Sequence, residues 1–373
     1  MFSRMLEAID VKGYKSFHEL ELALAPVNVL IGANGAGKSN LIGLFKMLNR
    51  MMNGELQLHI AQAGGADQIL HYGRKVTDEL VLRLWFRRGD NLANGYECHL
   101  QPAEDRLLLT SEATFFHDRA RYARPYQDLS HEGVYEESRL PRWAREQSGV
   151  SWYVYDALRS WELYHFHDTS ESARLKQMGD INENRRLLPD AANLAAYLYL
   201  LHEKYPQHYQ TIVETIRLAA PFFGDFLLRP NPLNPERIRL EWRERGSDLV
   251  FGPHVLSDGT LRFICLTTLF LQPSQNLPAT IVLDEPELGL HPYAIKLLAE
   301  MVSSVAEHTQ VILATQSVTL VNQFTPSDIL VLDRVAGVST IRRLDAGEIE
   351  HWLEDYGLGD LWEKNVFGGR PAL

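Results

Sequence analysis

The fold of this chain is decided by the stretch Gly32-Ala33-Asn34-Gly35-Ala36-Gly37-Lys38-Ser39, which is followed by Asn40. It matches the pattern G-x-x-x-x-G-K-[ST] in full. Glycines let the backbone turn tightly, so that successive N–H groups can point inward at phosphate oxygens. A lysine at this position brings its charge to the β- and γ-phosphates, and the serine hydroxyl after it binds Mg²⁺. We therefore predict an ATP site over residues 32–40, with Mg²⁺ as the cofactor that Ser39 helps to hold.

The segments on either side of this phosphate loop have the character that such a loop requires. Residues 27–31 form a short and nearly continuous apolar run, which is typical of a buried parallel strand. Residues 40–52 carry apolar side chains at helical spacing. The order strand, loop, helix aims the positive end of the helix dipole at the same anion. A chance match in a glycine-rich turn is the alternative, and the flanking elements disfavour it.

The rest of the chain alternates between strand-like and helix-like segments at both ends. Further strands are predicted over residues 6–11, 20–24, 280–283, 311–314 and 329–332, and a helix over residues 292–306. Strands that alternate with helices imply a mostly parallel sheet with helices packed on it. We therefore predict an α/β P-loop NTPase fold, with antiparallel strands at its N-terminal end.

The middle of the chain differs in composition, being rich in aromatic residues and histidine with mixed charge. Two segments in it, 194–205 and 209–220, look helical, so we interpret the middle as an inserted, mainly helical lobe. The predicted division is residues 1–115 for the first part of the ATPase core, 116–240 for the lobe, 241–345 for the second part of the core and 346–373 for a C-terminal tail.

Two adjacent carboxylates follow the strand predicted over residues 280–283. Asp284 closes that strand, where a carboxylate holds Mg²⁺, usually through water. Glu285 is placed to orient the attacking water and to accept its proton during phosphoryl transfer. A solvated acidic turn is the alternative, and the phosphate loop upstream favours the catalytic interpretation.

The run Ser257-Asp258-Gly259-Thr260 precedes a predicted helix over residues 261–271. It resembles the LSGGQ-type signature of ABC-class ATPases, with Asp258 in place of the first glycine and Thr260 in place of the glutamine. The alternative is a simple N-capped helix, because serine and aspartate are favoured as caps without any ligand. Its position between the other two motifs favours the signature.

Together these motifs resemble the SMC/RecF/OLD branch of ABC-type ATPases. The resemblance is carried by Asn34 and Asn40 in the phosphate loop, the opening Gly13-Tyr14-Lys15-Ser16-Phe17, the run Asp284-Glu285-Pro286-Glu287-Leu288-Gly289-Leu290-His291-Pro292, and Thr315-Gln316-Ser317 at the switch position. The chain is also similar to stand-alone ATPases of this branch, many of them found beside phage-defence genes. That similarity rests on Trp161-Glu162-Leu163-Tyr164-His165-Phe166-His167-Asp168-Thr169-Ser170 and on the ending from Trp362 to Gly369.

The resemblance implies an ABC-type ATPase head that closes head-to-tail with a second copy over two ATP molecules. One copy would supply Lys38, Ser39, Asp284 and Glu285, and the other would present Ser257 to Gly259 to the γ-phosphate. Hydrolysis would reopen this homodimer and drive a switch that acts on DNA or on a partner effector, in DNA repair or phage defence. Long coiled-coil arms and a Toprim domain are expected to be absent, which would make the chain a bare head.

Three departures from the family pattern limit what carries over. Gln316 stands where ABC enzymes usually have histidine, and an amide cannot carry a charge or a proton, so we expect slow turnover. His291 replaces the usual D-loop aspartate. For the glutamine that contacts Mg²⁺ in this class, Gln68 is favoured over Gln62.

Composition restricts the remaining function classes. The formal net charge is -11, so the surface as a whole does not indicate a nucleic-acid binder, although DNA binding stays open. The two cysteines, Cys98 and Cys265, fit a reducing compartment. No run reaches the roughly 18 apolar residues of a membrane span. We expect a cytoplasmic protein that does not contact a membrane.

Two alternatives remain for side-chain clusters in the middle of the chain. His165 and His167, with Asp168, could be metal ligands, but a third and a fourth ligand are not evident nearby, so packing is favoured. Six arginines between Arg119 and Arg145 could form a DNA patch. Because acidic residues are interleaved with them, a solvated mixed face is favoured.

The competing function is a nucleotide-gated scaffold or sensor with negligible turnover, which would hold a separately encoded nuclease or toxin. Gln316 motivates this alternative. A subunit of an ABC transporter is a third interpretation, which the phosphate loop and the large middle region disfavour.

Overall fold

A computed structural model describes residues 5–369 of the chain. Its strands are β1 (Leu6–Tyr14), β2 (Phe17–Ala23), β3 (Val27–Gly32), β4 (Leu80–Arg87), β5 (Leu92–Ala103), β6 (Arg106–Asp118), β7 (Tyr126–Tyr135), β8 (Glu162–Tyr164), β9 (Gly179–Asp180), β10 (Phe223–Phe226), β11 (Pro230–Asn231), β12 (Asn234–Ile238), β13 (Trp242–Glu244), β14 (Val250–Phe251), β15 (Thr280–Asp284), β16 (Gln310–Ala314), β17 (Ile329–Val335) and β18 (Val338–Arg343).

The helices lie between groups of these strands along the chain. They are α1 (Lys38–Met52), α2 (Leu56–Gln62), α3 (Ala66–Ile69), α4 (Leu140–Glu146), α5 (Val150–Arg159), α6 (Leu194–Lys204), α7 (Pro206–Ala219), α8 (Asp258–Leu271), α9 (Pro292–Val305), α10 (Val318–Val321), α11 (Ala346–Ile349) and α12 (Leu358–Glu363). Within residues 5–369, no helix is both long enough and apolar enough to cross a membrane.

The first large sheet is antiparallel, with the strand order β2-β1-β4-β5-β6-β7. Alternate residues of β1 and β4 are buried, as expected of strands with one face on a core. A two-residue turn joins β1 to β2, since Tyr14 pairs with Phe17. The antiparallel strands predicted for the N-terminal end are therefore confirmed.

The second large sheet has the order β18-β17-β3-β16-β15-β8, and all of its pairs are parallel except β17 with β18. All six residues of β3 and all five of β16 are buried, because both faces of this sheet are covered. Helix α1 and the antiparallel sheet share one core with the face that carries Leu30 and Ile312. Helices α6 to α9 cover the opposite face, which carries Val29 and Leu313.

The middle of the chain differs from the predicted separate lobe. Strand β6 spans Arg106–Asp118 and so crosses the boundary predicted near residue 116, and β7 continues the same antiparallel sheet. Strand β8 adds an edge to the parallel sheet beside β15. Helices α6 and α7 pack in the core of that sheet. The stretch 116–240 therefore contributes to both large sheets and their cores, because its apolar segments find partners there.

Three of the six arginines between Arg119 and Arg145 pair with carboxylates in the described structure. Arg119 contacts Glu7 at 2.7 Å, and Arg142 contacts Glu146 at 2.7 Å across one helical turn. These pairs match the mixed charged face that the sequence favoured over a basic patch.

Candidate nucleotide site

The phosphate loop lies between β3 and α1, at the carboxyl edge of the parallel sheet. Gly35 and Gly37 have φ angles of +79° and +118°, which L side chains rarely adopt. Helix α1 begins at Lys38 with no side chain capping it and no acidic residue in its first turn. The first backbone N–H groups of α1 and its helix dipole can therefore serve an anion. Ser39 is exposed in this first turn.

Lys38 is buried and its side chain bonds to the backbone of its own loop. Its Nζ donates to the carbonyl oxygens of Gly32 at 2.5 Å and Ala33 at 3.2 Å. Burial lowers the pKa of Lys38, while the carboxylates of Glu285 and Asp284 oppose that shift. The fold thus brings residues from distant parts of the sequence, Lys38 and the two carboxylates, within electrostatic reach of one another.

The turn between β1 and β2 contacts the residues next to the phosphate loop. Asn40 donates through Nδ2 to Ser16 Oγ at 2.7 Å, and the carbonyl of Ser16 accepts from the Ser339 N–H at 2.7 Å. A Cβ on Gly37 would lie 2.6 Å from Ser339 Oγ, so only glycine fits at that position. These contacts explain physically why the motif over residues 13–17 accompanies the phosphate loop.

Asp284 and Glu285 follow β15 at the same edge of the sheet. Asp284 lies opposite Ala314 of β16, and burial raises its pKa, with the neighbouring charge of Glu285 adding to the shift. Glu285 has a φ of +44°, a conformation that is costly for a non-glycine residue and is often found at functional sites. Its N–H donates to the Ala314 carbonyl at 2.8 Å, which fixes this conformation.

Gln316 reaches the carboxylate of Glu285 directly. Its Nε2 donates to Glu285 Oε1 at 2.6 Å, so the predicted switch residue and the predicted general base are in contact. An amide can hold this carboxylate in place but cannot exchange a proton with it.

A second carboxylate, which the sequence did not single out, fastens the switch loop (residues 315–317). Glu287 is buried and accepts from Thr315 Oγ1 at 2.5 Å and from the Gln316 N–H at 3.4 Å. Burial raises the pKa of Glu287. In the sequence it belongs to a run that looks like a solvated acidic turn, so no signal marked it as buried.

The signature surface, defined here as Val255 to Gly259 with Leu288 to Tyr293, lies at the start of α8. Ser257 caps α8, accepting from the Thr260 N–H at 3.2 Å, and it is exposed together with Asp258. A Cβ on Gly259 would lie 2.1 Å from the Gly289 carbonyl oxygen, so the two loops pack backbone against backbone. His291 is exposed and caps α9, accepting through Nδ1 from the Tyr293 N–H at 3.2 Å.

A family model described as "AAA domain, putative AbiEii toxin, Type IV TA system" matches residues 27–322. The chain belongs to this family. Its match includes the phosphate loop, the signature, both carboxylates and the switch loop. No curated protein matches the chain.

Two solved structures show the fold of this AAA-domain protein at the level of the whole chain. One is the Smc head bound to the C-terminal winged-helix domain of ScpA, with a TM-score of 0.59, 15% identity, and coverage of 92% of this chain and 98% of that one. The other is the Smc head with an extended coiled coil, bound to the C-terminal domain of ScpA, from Pyrococcus furiosus. It has a TM-score of 0.58, 15% identity, and coverage of 94% of this chain and 98% of that one. The predicted SMC-like, ABC-type P-loop fold is confirmed.

Arg262 of this AAA-domain protein connects three parts of the site. From α8 its guanidinium donates to the carbonyls of Phe166 at 3.1 Å, Leu288 at 2.8 Å and His167 at 3.0 Å. In the structure it joins the signature helix to the loop after β8 and to the loop after Asp284.

Gln68 lies apart from these carboxylates, in a cleft of about 430 Å³ beside the phosphate loop. The cleft is also lined by Lys15, Ser16, Asn40 and Tyr72. The group that acts electrostatically on Asp284 from the loop after β8 is His167, which lowers the pKa of that carboxyl against the larger effect of burial. Gln68 therefore lines the cleft beside the phosphate loop, whereas Asp284 lines a different pocket.

The histidines after β8 also differ from the packing role that the sequence favoured. His165 and His167 are exposed, and Phe166 between them is buried. Within the described part of the chain, no three histidine, cysteine or acidic residues are grouped to hold a metal ion. Mg²⁺ in a P-loop site needs fewer protein ligands, because it keeps several waters and also binds the phosphates.

Proposed function

We propose that this protein binds ATP with Mg²⁺, hydrolyses it slowly, and uses ATP to close two copies head-to-tail. The observation that carries this proposal is the convergence of Lys38, Asp284 and Glu285 at one sheet edge, while Ser257 and Asp258 stay exposed at a separate loop. Each chain thus has a phosphate site and a free signature surface.

The chemistry follows from the side chains already described. Ser39 and Asp284 offer the oxygen ligands that Mg²⁺ prefers, and the bound ion would neutralise charge on the β- and γ-phosphates. Lys38 and the N-terminal N–H groups of α1 would hold the same phosphates. Glu285 would orient the attacking water and accept its proton, and Gln316 keeps the Glu285 carboxylate in position. Gln68 and Tyr72 would line the cleft for the rest of the nucleotide.

The dimer is supported by apolar side chains around the signature. Val255, Leu288 and Tyr293 are 63%, 48% and 47% exposed, and all three belong to the signature surface. Clustered exposed apolar residues beside polar groups mark interaction sites. A second copy would cover them, and the γ-phosphate of its ATP would accept hydrogen bonds from the Ser257 hydroxyl and the N–H groups of α8.

Glu285→Gln tests this proposal. The amide keeps the shape of the side chain but removes the proton acceptor, so we expect ATP binding to persist, turnover to fall at least about 100-fold, and the dimer to accumulate. Light scattering on a sizing column with saturating ATP measures the dimer, and phosphate release measures turnover. Glu300→Gln, on the exposed side of α9, is the matched control. A monomeric Glu285→Gln protein at saturating ATP would contradict the head-to-tail dimer.

The contact between Gln316 and Glu285 favours a second candidate function. A carboxylate held by an amide 2.6 Å away is less free to accept a proton, which suits a nucleotide-gated scaffold with negligible turnover. Phosphate release distinguishes the two functions. A wild-type rate no higher than that of Lys38→Ala would favour the scaffold.

For either function, we propose that the ATP-dependent change of shape acts on DNA or on a separately encoded nuclease or toxin. The description of the family itself as a putative toxin of a type IV toxin–antitoxin system supports action together with another protein of such a system. The net charge of -11 gives DNA no general attraction. A nuclease or toxin gene next to this one, whose product binds the ATP-loaded Glu285→Gln dimer, would identify the effector.

A further inference from the structure

The loop after β8 (residues 165–168, here the histidine loop) lies beside the carboxylates. Strand β8 is parallel to β15, with Tyr164 opposite Leu283. Because the carboxyl ends of parallel strands meet at one edge of the sheet, the residues after Tyr164 emerge next to Asp284. His167 lines a narrow pocket together with Asp284 and Glu285.

Three contacts hold the histidine loop in this place. Phe166 is buried in the core of the parallel sheet. Its carbonyl and that of His167 both accept from Arg262, and the His165 N–H donates to the Pro189 carbonyl at 2.8 Å. The backbone on both sides of the His167 side chain is therefore fixed, while the imidazole is exposed.

The two histidines of this loop serve different surroundings. His165 lines another cavity, of about 210 Å³, which it shares with Lys46 and Trp161 between α1 and β8. His167 lines the pocket at the carboxylates. One loop therefore offers an imidazole to the pocket at the carboxylates and a second, matched imidazole to a different cavity.

We propose that His167 is a nucleotide-contacting residue that donates a hydrogen bond to the γ-phosphate of ATP. This inference rests on the proposed ATP site but not on turnover or on the dimer. The amide of the switch residue Gln316 already donates to Glu285. His167, on the other side of Asp284, can therefore give the γ-phosphate the hydrogen bond that this amide does not. A contact to the γ-phosphate also lets the chain distinguish ATP from ADP, because ADP has no atom at that position.

The test compares the affinities of ATPγS and ADP in the presence of Mg²⁺, measured by calorimetry on the full chain. We expect His167→Ala to weaken ATPγS about 10-fold and to leave ADP within about twofold, because a hydrogen bond to a charged group is lost only with ATPγS. His167→Gln, which keeps a donor, is expected to restore most of the affinity. His165→Ala is the matched control and should bind both nucleotides like the wild type.

Equal losses for ATPγS and ADP in His167→Ala would overturn the inference, and so would a His167→Ala protein that matches His165→Ala. Thermal unfolding of each variant separates a lost contact from a damaged fold. If the wild type binds ATPγS but releases no phosphate, the proposed turnover fails and the binding comparison still decides the role of His167. If the wild type binds neither nucleotide, the inference and the proposed site fail together.

Discussion

The phosphate loop and the signature surface differ in how much of their surroundings this chain supplies. At the phosphate loop, Lys38 is buried, bonded to two carbonyls and within reach of two carboxylates. At the signature surface, Ser257 is exposed and its hydroxyl meets only the first turn of its own helix. Apolar neighbours such as Val255 are exposed beside it.

This difference shows which half of the site a single copy can complete. Buried polar groups are paired internally because an unpaired one costs free energy, and the phosphate loop follows that rule. The exposed apolar side chains around the Ser257 hydroxyl are removed from water only when a partner covers them. The comparison therefore predicts that damage to the phosphate loop removes nucleotide binding. Damage to the signature surface should remove only the ATP-dependent dimer and the turnover that depends on it.

Lys38→Ala is expected to have the largest effect. Without the ammonium the phosphates lose their strongest direct partner, so ATP affinity should fall at least about 100-fold, the loss of a charge-assisted contact in a buried setting. ATP stabilises only a fold that binds it, so the ATP-dependent rise of the unfolding temperature should vanish. Lys46→Ala, two turns along α1 and exposed, is the control. If ATP stabilised Lys38→Ala as much as the wild type, the claim that the phosphate loop is needed for nucleotide binding would be wrong.

Ser257→Asp is expected to have an intermediate effect and to separate the two halves. Aspartate caps a helix about as well as serine, so the unfolding temperature and ATP binding by the monomer should be preserved. Its charge would face the γ-phosphate of the second copy, so the ATP-dependent dimer and the turnover should fall about 10-fold or more. Calorimetry measures the unfolding temperature and ATP binding, light scattering measures the dimer, and phosphate release measures turnover. Wild-type turnover in Ser257→Asp would mean that this residue is only a helix cap.

Most of the fold could be predicted from local patterns in the sequence. The strand, loop and helix around residues 27–52 are each determined by their own residues, and the structure places them within two residues of the prediction. The middle region could not be predicted in this way. Strand β8 has three residues and takes its place only because β15 offers it a parallel edge, which no window of sequence shows.

The residues of the candidate site also fall into those that local sequence predicts and those that it does not. Lys38, Asp284 and Glu285 lie in motifs whose chemistry is written in consecutive residues. The roles of Glu287, Arg262 and the histidine loop depend on partners far away in sequence. Glu287 is buried against Thr315, which follows β16 and donates a hydrogen bond to its carboxylate. The prediction that Gln68 contacts Mg²⁺ rests on the family pattern alone, and the fold places Gln68 in the cleft beside Asn40.

Glu287→Gln gives the smallest expected effect and tests how firmly the phosphate half is built. Burial raises the pKa of Glu287 above its ordinary value of 4.5. The folded chain therefore keeps a proton that the unfolded chain releases just above that pH, so this residue contributes less stability as the pH rises through that window. Glutamine carries no such proton. We measure the unfolding temperature of Glu287→Gln relative to that of the wild type. As the pH rises from 4.5 to 8, we expect this difference to increase by about 2 °C, equivalent to about 1 kcal/mol.

The amide keeps an oxygen that Thr315 and the Gln316 N–H can use, so turnover should stay within about threefold of the wild type. Glu300→Gln removes one negative charge from an exposed position and controls for the change in net charge. Calorimetric scans across the pH range measure the difference. If that difference were independent of pH, Glu287 would be ionised alike in both states, and the switch loop would be fastened by its geometry alone. If turnover instead collapsed, the negative charge of Glu287 would belong to the phosphate half of the site in its own right.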